Sequence, residues 1–360
     1  MSDPGVYSAN RISGPHRPSL SECGTARGGE DTTMYRRTLL GVATSIPMAF
    51  AAQAAETPAA ARVRRFLAPL RFGVNVERGD VLLKGWLTDA VLREYASQGV
   101  THIRIYPPSG GRFPLVSQER FALWLTASRA IIEAGMTVFL DCLDVVDERF
   151  MARDDVPDYI RRCARAIAEQ NFDPRKIAVG AVNEYANGTN RGFEARREEC
   201  TDILHQALPN HVIVTNGADY GAPATMMDGT LRVDPEKPRL HQWHMYELDA
   251  GSLDAVRHWQ ERIQRWADAN RTVTYCGEWG IGPPDNSTGA ASDYRHFPDH
   301  IHRAAEGMGQ QRPTQWTVTE GRWWRLNEAD SARLRPEIAA AIAKASSHIA
   351  GERWYKDQNG

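Results

Sequence analysis

The sequence alternates short apolar runs with longer segments of helical periodicity from residue 71 onward. Apolar runs of this length, bounded by turn residues, are typical of buried strands. Strands that alternate with helices predict parallel βαβ units, and eight of them favour an α/β fold with one closed (β/α)8 TIM barrel. The predicted strands are 71–75, 101–105, 137–140, 177–181, 212–215, 240–244, 272–277 and 314–318.

Helical patterns fill most of the intervals between these strands. Glycines at 99 and 135 stand just before the second and third strands, where helices commonly end. No Gly-x-Gly-x-x-Gly follows the first strand, which disfavours a dinucleotide-binding fold. The weakest interval, 218–239, is rich in Gly, Pro and Asp and predicts a long loop with at most one short helix. The predicted helices are 88–98, 118–134, 156–170, 192–208, 251–270, 297–308 and 330–347.

The first 55 residues differ in character from the barrel sequence. Residues 1–33 are rich in Gly, Ser, Pro and Arg and predict an unstructured upstream segment. Residues 34–55 combine a basic start with an apolar stretch and small residues, as a signal peptide does. The pair Arg36-Arg37 resembles a twin-arginine export signal, although the ordinary secretory route stays open. We therefore expect export to the periplasm or beyond the cell, with Met34 as the true start.

Three further boundaries follow from this division. Residues 56–70 are interpreted as a linker, 71–350 as a single (β/α)8 domain, and 351–360 as a C-terminal tail. The apolar stretch before the linker is too short for a good membrane span. No sequence repeat marks a second domain, and we expect a monomer.

Composition excludes several classes of function. A net charge of −2 gives no basic field that would attract nucleic acid. The histidines and cysteines show no metal-ligand spacing, so we expect no metal and no cofactor. Cys163 and Cys200 lie on successive predicted helices and could form a disulfide, whereas Cys142 and Cys276 are as readily interpreted as buried thiols.

Two of the predicted strands deliver a glutamate at the carboxyl end. Asn183 and Glu184 follow the fourth strand, and Glu278 follows the seventh. Active sites of (β/α)8 barrels lie at this end of the strands, so the two acids should meet over one pocket. Two facing carboxylates are the requirement of glycoside hydrolysis. A purely structural role is the ordinary interpretation of one such acid, but it is a poor explanation of two.

Other strand ends carry residues suited to the cleavage of an acetal: Arg104, His244, Tyr246 and Trp316. An arginine keeps a carboxylate ionised, a tyrosine hydroxyl orients it, and an indole stacks on a sugar ring. Each of these residues also has a structural interpretation, as a core or strand-end side chain. Asp141 and Asp144 also end a strand, and for them we prefer hydrogen-bonded structural roles.

The order of these motifs resembles glycoside hydrolase family 5, the cellulase-type family of retaining (β/α)8 glycosidases. The resemblance extends over residues 71–347 and rests on four motifs: Ile103-Arg104-Ile105, Asn183-Glu184, His244-Met245-Tyr246 and Gly277-Glu278-Trp279-Gly280. Family members often carry a His pair near the third strand and Asn-Glu-Pro after the fourth. This chain has Leu140-Asp141-Cys142-Leu143-Asp144 and Asn183-Glu184-Tyr185 instead, so we expect a divergent subfamily.

The resemblance implies a role for each matching residue. Glu184 would be the acid/base and Glu278 the nucleophile, with Asn183 on the sugar 2-hydroxyl. Arg104 and Tyr246 would bind around the nucleophile, and His244 would lie near the acid/base. Trp316 would be the platform that stacks on the sugar, a role that Trp323 or Trp324 could also take. These four residues would complete the substrate-binding set.

The expected function is retaining hydrolysis of a β-linked polysaccharide or oligosaccharide, in the manner of an endo-β-1,4-glucanase. A retaining mechanism predicts that the carboxyl groups of Glu184 and Glu278 lie about 5–5.5 Å apart. A β-mannan or a bacterial exopolysaccharide is an alternative substrate. The alternative from another class is a non-catalytic carbohydrate-binding barrel.

Overall fold

Eight parallel strands form the inner layer of the fold. They are β1 Phe72–Val76, β2 Val100–Ile105, β3 Thr137–Val146, β4 Ile177–Tyr185, β5 Val212–Asn216, β6 Arg239–Met245, β7 Val273–Trp279 and β8 Thr314–Thr317. Each strand pairs with the next, and β1 pairs with β8 to close the barrel. The predicted (β/α)8 barrel is thereby confirmed, with all eight predicted strands in place.

The computed structural model describes residues 56–76, 85, 87–107, 115–186, 188–229, 231–245, 253–279, 314–317 and 332–351, with only the backbone described at 190, 253–256, 314–317 and 348–351. These residues belong to one compact unit, Ala54–Gly360. The predicted upstream and signal segments and the helix at 297–308 lie outside the described residues.

Helices connect the strands and form the outer layer. They are α1 Pro58–Leu67, α2 Asp89–Ser97, α3 Gln118–Glu133, α4 Glu148–Met151, α5 Asp155–Glu169, α6 Asn190–Ala207, α7 Ala218–Gly221, α8 Pro223–Met226, α9 Leu253–Ala269 and α10 Pro336–Gly351. Side-chain caps start several of them; Thr88, Ser117 and Asp147 each accept a hydrogen bond from a backbone N–H three residues on. In the described ranges, none of these helices has both the length and the apolar character needed to cross a bilayer.

The predicted linker over 56–70 is wrong, because most of it forms α1. Thr57 caps this helix by accepting a hydrogen bond from the Ala60 N–H, and Pro58 occupies its first turn. Val63 and Phe66, on one face, are buried against side chains from the starts of the strands. Helix α1 thus closes the end of the barrel at which the strands begin, called the bottom below, opposite the top, where their carboxyl ends lie.

An aromatic layer fills the barrel interior above α1. The rings of Phe139 and Tyr275 stack with their centroids 4.5 Å apart, and Phe66 meets Phe139 edge-on at 5.6 Å. The His102 ring lies 5.5 Å from Phe139 and fills space that a side chain at Gly73 would need. A Cβ at Gly73 would lie 2.2 Å from that ring. The bottom half of the interior is therefore a packed, mostly apolar core.

The interval 218–239 agrees with the predicted long loop with at most one short helix, because α8 is a short helix whereas the four residues of α7 form a tight turn. Asp219 and Tyr220 adopt left-handed backbone angles, with φ of 51° and 56°, and Gly221 continues with φ 71°. This turn was not visible in the sequence because neither Asp nor Tyr requires a positive φ. Helix α10 begins at Pro336, later than the predicted residue 330, and proline suits the first helical position.

All four cysteines of the barrel sequence are buried free thiols. The possible disulfide between Cys163 and Cys200 is therefore not formed. The Cys142 thiol instead forms a hydrogen bond with the Cys163 thiol, and this contact together with burial raises the pKa of Cys142. The core therefore holds the Cys142 thiol in its protonated form.

Candidate active site

Buried polar side chains collect at the carboxyl ends of four strands. Arg104 on β2, Asn183 and Glu184 on β4, His244 on β6 and Glu278 on β7 are each at most 8% exposed. These are all the sequence-predicted site residues whose side chains the structure describes, and it brings all five together. The remaining two, Tyr246 and the Trp316 side chain, lie outside the described residues, as do Trp323 and Trp324.

The two glutamates face each other across the pocket. One carboxylate oxygen of Glu184 and one of Glu278, with a ring nitrogen of His244, all lie within 4.8 Å of one another. This separation leaves room for a single reacting centre between the two acids. It is compatible with the spacing of about 5–5.5 Å that characterises retaining glycosidases.

A bulge in β7 directs Glu278 to the interior. Trp243 pairs with Cys276 but His244 pairs with Glu278, so Gly277 is an extra residue on β7. Side chains alternate along a regular strand, and without the extra residue Glu278 would point away from the interior. The Asn75 side-chain amide donates to the Gly277 carbonyl at 3.3 Å and supports the bulge from β1.

Arg104, on β2, contacts side chains from three other strands at the centre of the site. Its Nη1 lies 2.6 Å from Glu278 Oε1, and its Nη2 lies 2.7 Å from Asp141 Oδ2 and also donates to Asn183 Oδ1. Burial lowers the pKa of Arg104, but Asp141 and Glu278 together outweigh it and the net shift is upward. The guanidinium therefore stays charged and neutralises the carboxylate of Glu278.

Glu184 has a different environment from Glu278. Burial raises the pKa of Glu184 well above its ordinary value, and the negative charges of Glu278 and Asp144 raise it further. Arg104 offsets only part of this shift. The site therefore contains one carboxyl group that favours the protonated form and one that is ion-paired with an arginine, the division of roles that acid catalysis requires.

His244 links the two acids. Its Nδ1 lies 2.7 Å from Glu184 Oε1 and 3.8 Å from Glu278 Oε2. Burial lowers the pKa of His244 to about 4, and Arg104 contributes in the same direction. The imidazole is therefore neutral at pH 7.

Asp141 has a larger part in the site than the sequence indicated. It ion-pairs with Arg104 and is buried, and burial raises its pKa despite the arginine. Its carboxylate occupies the space that a side chain at Gly180 would take on the neighbouring strand, since a Cβ there would lie 1.8 Å from Oδ1. Asp144, the other acid of β3, accepts a hydrogen bond from Asn183 Nδ2 at 3.2 Å, the kind of structural role predicted for both.

Sequence reasoning missed the amides behind the acids. Gln242 Nε2 lies 2.9 Å from His244 Nε2 and 3.4 Å from the Asn183 carbonyl oxygen, to which Asn216 also donates. The only available signal was their position, two residues before His244 for Gln242 and at the end of β5 for Asn216.

Glu184, His244 and Glu278 also form the one group of potential metal ligands found among the described residues. The surroundings oppose a cation there. The Arg104 guanidinium already lies 2.6 Å from Glu278, and His244 Nδ1 lies within hydrogen-bonding distance of Glu184. A divalent ion would have to compete with both.

No protein-family model and no curated protein matches this sequence. Solved structures do match. Endoglucanase Cel5A from Thermotoga maritima is 15% identical, with a TM-score of 0.61 over 79% of this chain and 99% of that one. A GH5 family lichenase from Caldicellulosiruptor sp. F32 is 12% identical, with a TM-score of 0.62 over 81% of this chain and 97% of that one.

A third similar structure is the cellulose synthase subunit Z of Clostridioides difficile. It is 14% identical, with a TM-score of 0.59 over 76% of this chain and 99% of that one. Likeness at such identities concerns the fold. The chain thus has the barrel fold of the glycoside hydrolase family 5 enzymes, as the sequence resemblance implied.

Proposed function

We propose that this protein is a retaining glycoside hydrolase, a divergent member of family 5, that cleaves a β-linked polysaccharide. The observation that carries the proposal is the pair Glu184 and Glu278, which are buried at one pocket. Burial raises the pKa of Glu184, whereas Glu278 is ion-paired with Arg104. A barrel that only binds sugar has no need of such a pair, because burying two acids side by side is costly without a function.

In the first step, the Glu184 carboxyl donates its proton to the glycosidic oxygen as the bond from that oxygen to the anomeric carbon breaks. A Glu278 carboxylate oxygen forms a bond to the anomeric carbon, which gives a covalent glycosyl-enzyme. Arg104 keeps Glu278 ionised and therefore nucleophilic before the attack.

In the second step, the Glu184 carboxylate takes a proton from water, and the water oxygen attacks the anomeric carbon. The bond to Glu278 breaks, and both carboxyl groups return to their starting states. Two inversions at one carbon give net retention. Asn183, held by Arg104 and Asp144, would bind the 2-hydroxyl, while Tyr246 would orient Glu278 and Trp316 would stack on the sugar.

A β-1,4-glucan is the substrate class we favour. Similar structures include Cel5A of Thermotoga maritima in complexes with cellobiose and with mannotriose. β-Mannan is therefore an alternative. An exopolysaccharide is another, since one similar structure is a cellulose synthase subunit. We further propose that the protein acts as a monomer after export, without a metal or cofactor.

The test is release of reducing sugar from a panel of soluble β-glucans, β-mannans and bacterial exopolysaccharides. We expect wild-type protein to act on at least one polymer and Glu278→Ala to act on none. Replacement of an exposed glutamate on α5, Glu169→Ala, is the matched control and should leave the rate unchanged.

The configuration of the first product tests the mechanism separately. Nuclear magnetic resonance during the first minutes should show the β-anomer, which later equilibrates. An initial α-anomer would contradict retention but leave hydrolysis standing. Folded protein that binds a polymer without releasing sugar would favour the carbohydrate-binding alternative.

A further inference from the structure

Gln242 approaches the candidate acid through His244. It lies on β6 with 1% of its surface exposed, and its Nε2 is 2.9 Å from His244 Nε2. On the opposite side of the imidazole, Nδ1 is 2.7 Å from Glu184 Oε1. An amide, an imidazole and a carboxyl group therefore form one hydrogen-bonded row, of which only the last two residues were expected at the site.

The carbonyl of Asn183 fixes the orientation of the Gln242 amide. This oxygen can only accept, and Gln242 Nε2 lies 3.4 Å from it. The two hydrogens of the amide nitrogen therefore match two acceptors, the Asn183 oxygen and His244 Nε2. The reversed amide would place two oxygens face to face and lose one of these hydrogen bonds. Gln242 is thus a donor to His244.

The tautomer of His244 follows from this donor. The imidazole is neutral, since burial lowers its pKa to about 4, and a neutral ring carries one N–H. Because Nε2 accepts from Gln242, the hydrogen resides on Nδ1. Nδ1 therefore donates to Glu184 Oε1. The charged groups that act on this ring are Glu184, Glu278, Arg104 and Asp141.

We propose that Gln242 is a positioning residue that holds His244 as the Nδ1–H tautomer and thereby places the acidic proton of Glu184 on Oε2. The proposal rests on the proposed function for its catalytic meaning. With the other tautomer, Nδ1 would be an acceptor and Glu184 would direct its proton at the imidazole. Gln242 thus reserves that proton for the glycosidic oxygen.

The bulge in β7 gives Gln242 its place. A Cβ at Gly277 would lie 2.4 to 2.5 Å from three atoms of the Gln242 side chain. The residue that turns Glu278 toward the interior therefore also makes room for the amide behind the acid. One irregularity of the backbone serves both carboxyl groups.

The first measurement is the tautomer of His244 in wild-type protein. Nitrogen-15 resonances of the histidine rings distinguish a protonated nitrogen from an unprotonated one, and loss of signals in His244→Gln identifies the ring. We expect a protonated Nδ1 and an unprotonated Nε2 at neutral pH. A protonated Nε2 would overturn the proposal. This measurement uses no substrate, so it stands or fails apart from the proposed function.

The second measurement uses Gln242→Met, which keeps the length of the side chain but cannot donate. We expect kcat/KM on a substrate with a poor leaving group to fall by about 10–100-fold, the usual effect of losing a supporting hydrogen bond of this kind. An activated aryl glycoside, which needs little protonation, should lose much less. The matched control is Gln264→Met on α9, a partly exposed glutamine whose amide donates to Asp268 on the same helix.

Gln242→Glu sharpens the same test. A carboxylate at this place can only accept from Nε2, so the ring should gain a proton on Nε2, visible in the nitrogen spectrum. A merely structural role predicts another pattern: equal losses on both substrates and an unchanged tautomer in either variant. That pattern would refute a positioning role even if the wild-type tautomer were as expected.

Discussion

The two ends of the barrel interior are filled in opposite ways. At the bottom, Phe139 and Tyr275 stack directly above α1, and the neighbouring side chains are mostly apolar. At the top, the same strands carry an arginine, carboxyl groups, amides and an imidazole, almost all buried. Apolar burial at the bottom stabilises the folded state, whereas the removal of charged groups from water at the top destabilises it. The same strands thus carry the residues that stabilise the fold at one end and the candidate catalytic residues at the other.

The largest expected effect is on activity, from a change at the top. Glu184→Ala should lower kcat/KM for a poor leaving group by about 10²–10⁴-fold, since it removes the proton donor. An activated substrate should be affected much less. Steady-state kinetics on the two substrates measures the difference, and equal losses on both would argue against the acid/base role.

The corresponding change at the bottom should affect stability instead. Phe139→Ala removes a ring that contacts Phe66, His102 and Tyr275, and should lower the free energy of unfolding by about 3–5 kcal/mol. Chemical denaturation measures this loss, while kcat per folded molecule should change little. Leu123→Ala, at a residue that is 40% exposed, is the control. A large loss of kcat in the folded variant would contradict the idea that the bottom of the barrel affects stability alone.

The pH dependence of the free energy of unfolding tests how much the buried ionisable residues at the top destabilise the fold. The folded-state pKa of Glu184 is raised by burial, so its contribution is complete below the unfolded pKa and is lost as pH rises through the folded value. Glu184→Gln should therefore gain stability over wild type as pH rises from about 4.3, the ordinary glutamate value. Denaturation across pH values, with exposed Glu169→Gln as control, measures it. A pH-independent difference would contradict the raised pKa.

His244 acts in the opposite sense, because its lowered pKa gives stability that is lost as pH falls from 6.5 to about 4.

The smallest expected effect is at the start of α1. Thr57→Ala removes the cap of the helix and a hydrogen bond of 2.6 Å to the Pro235 carbonyl, and should cost about 1 kcal/mol. Thermal unfolding should detect it, with exposed Thr126→Ala as the matched control. No loss would mean that α1 contributes less to the bottom than its buried face indicates.

The sequence predicted the barrel because short, mostly apolar runs alternate with segments of helical periodicity. It predicted that Glu184 and Glu278 meet because parallel strands end at one edge. It could not predict the bulge at Gly277, since a bulge is defined by the pairing of two strands. Gln242 and Asp141 were missed or undervalued because the sequence does not show which partner each side chain reaches across the barrel interior.

The helix α1 was missed for another reason. Its stretch of Ala, Pro and Arg resembles a linker in composition, although Ala59, Ala60, Val63, Phe66 and Leu67 follow helical spacing. That spacing was the signal that could have identified it.

The position of α1 has a consequence for how the domain folds. It precedes every strand that the structure describes, yet it packs against Val212, Leu240 and Tyr275, which are synthesised much later. Contacts of such large sequence separation slow folding, because the intervening chain must be ordered first. The apolar face of α1 therefore lacks its partners on β5, β6 and β7 until β7 has been made. The packing at this end of the barrel therefore cannot be complete when only the first half of the domain has been synthesised, and α1 is fully packed only after β7.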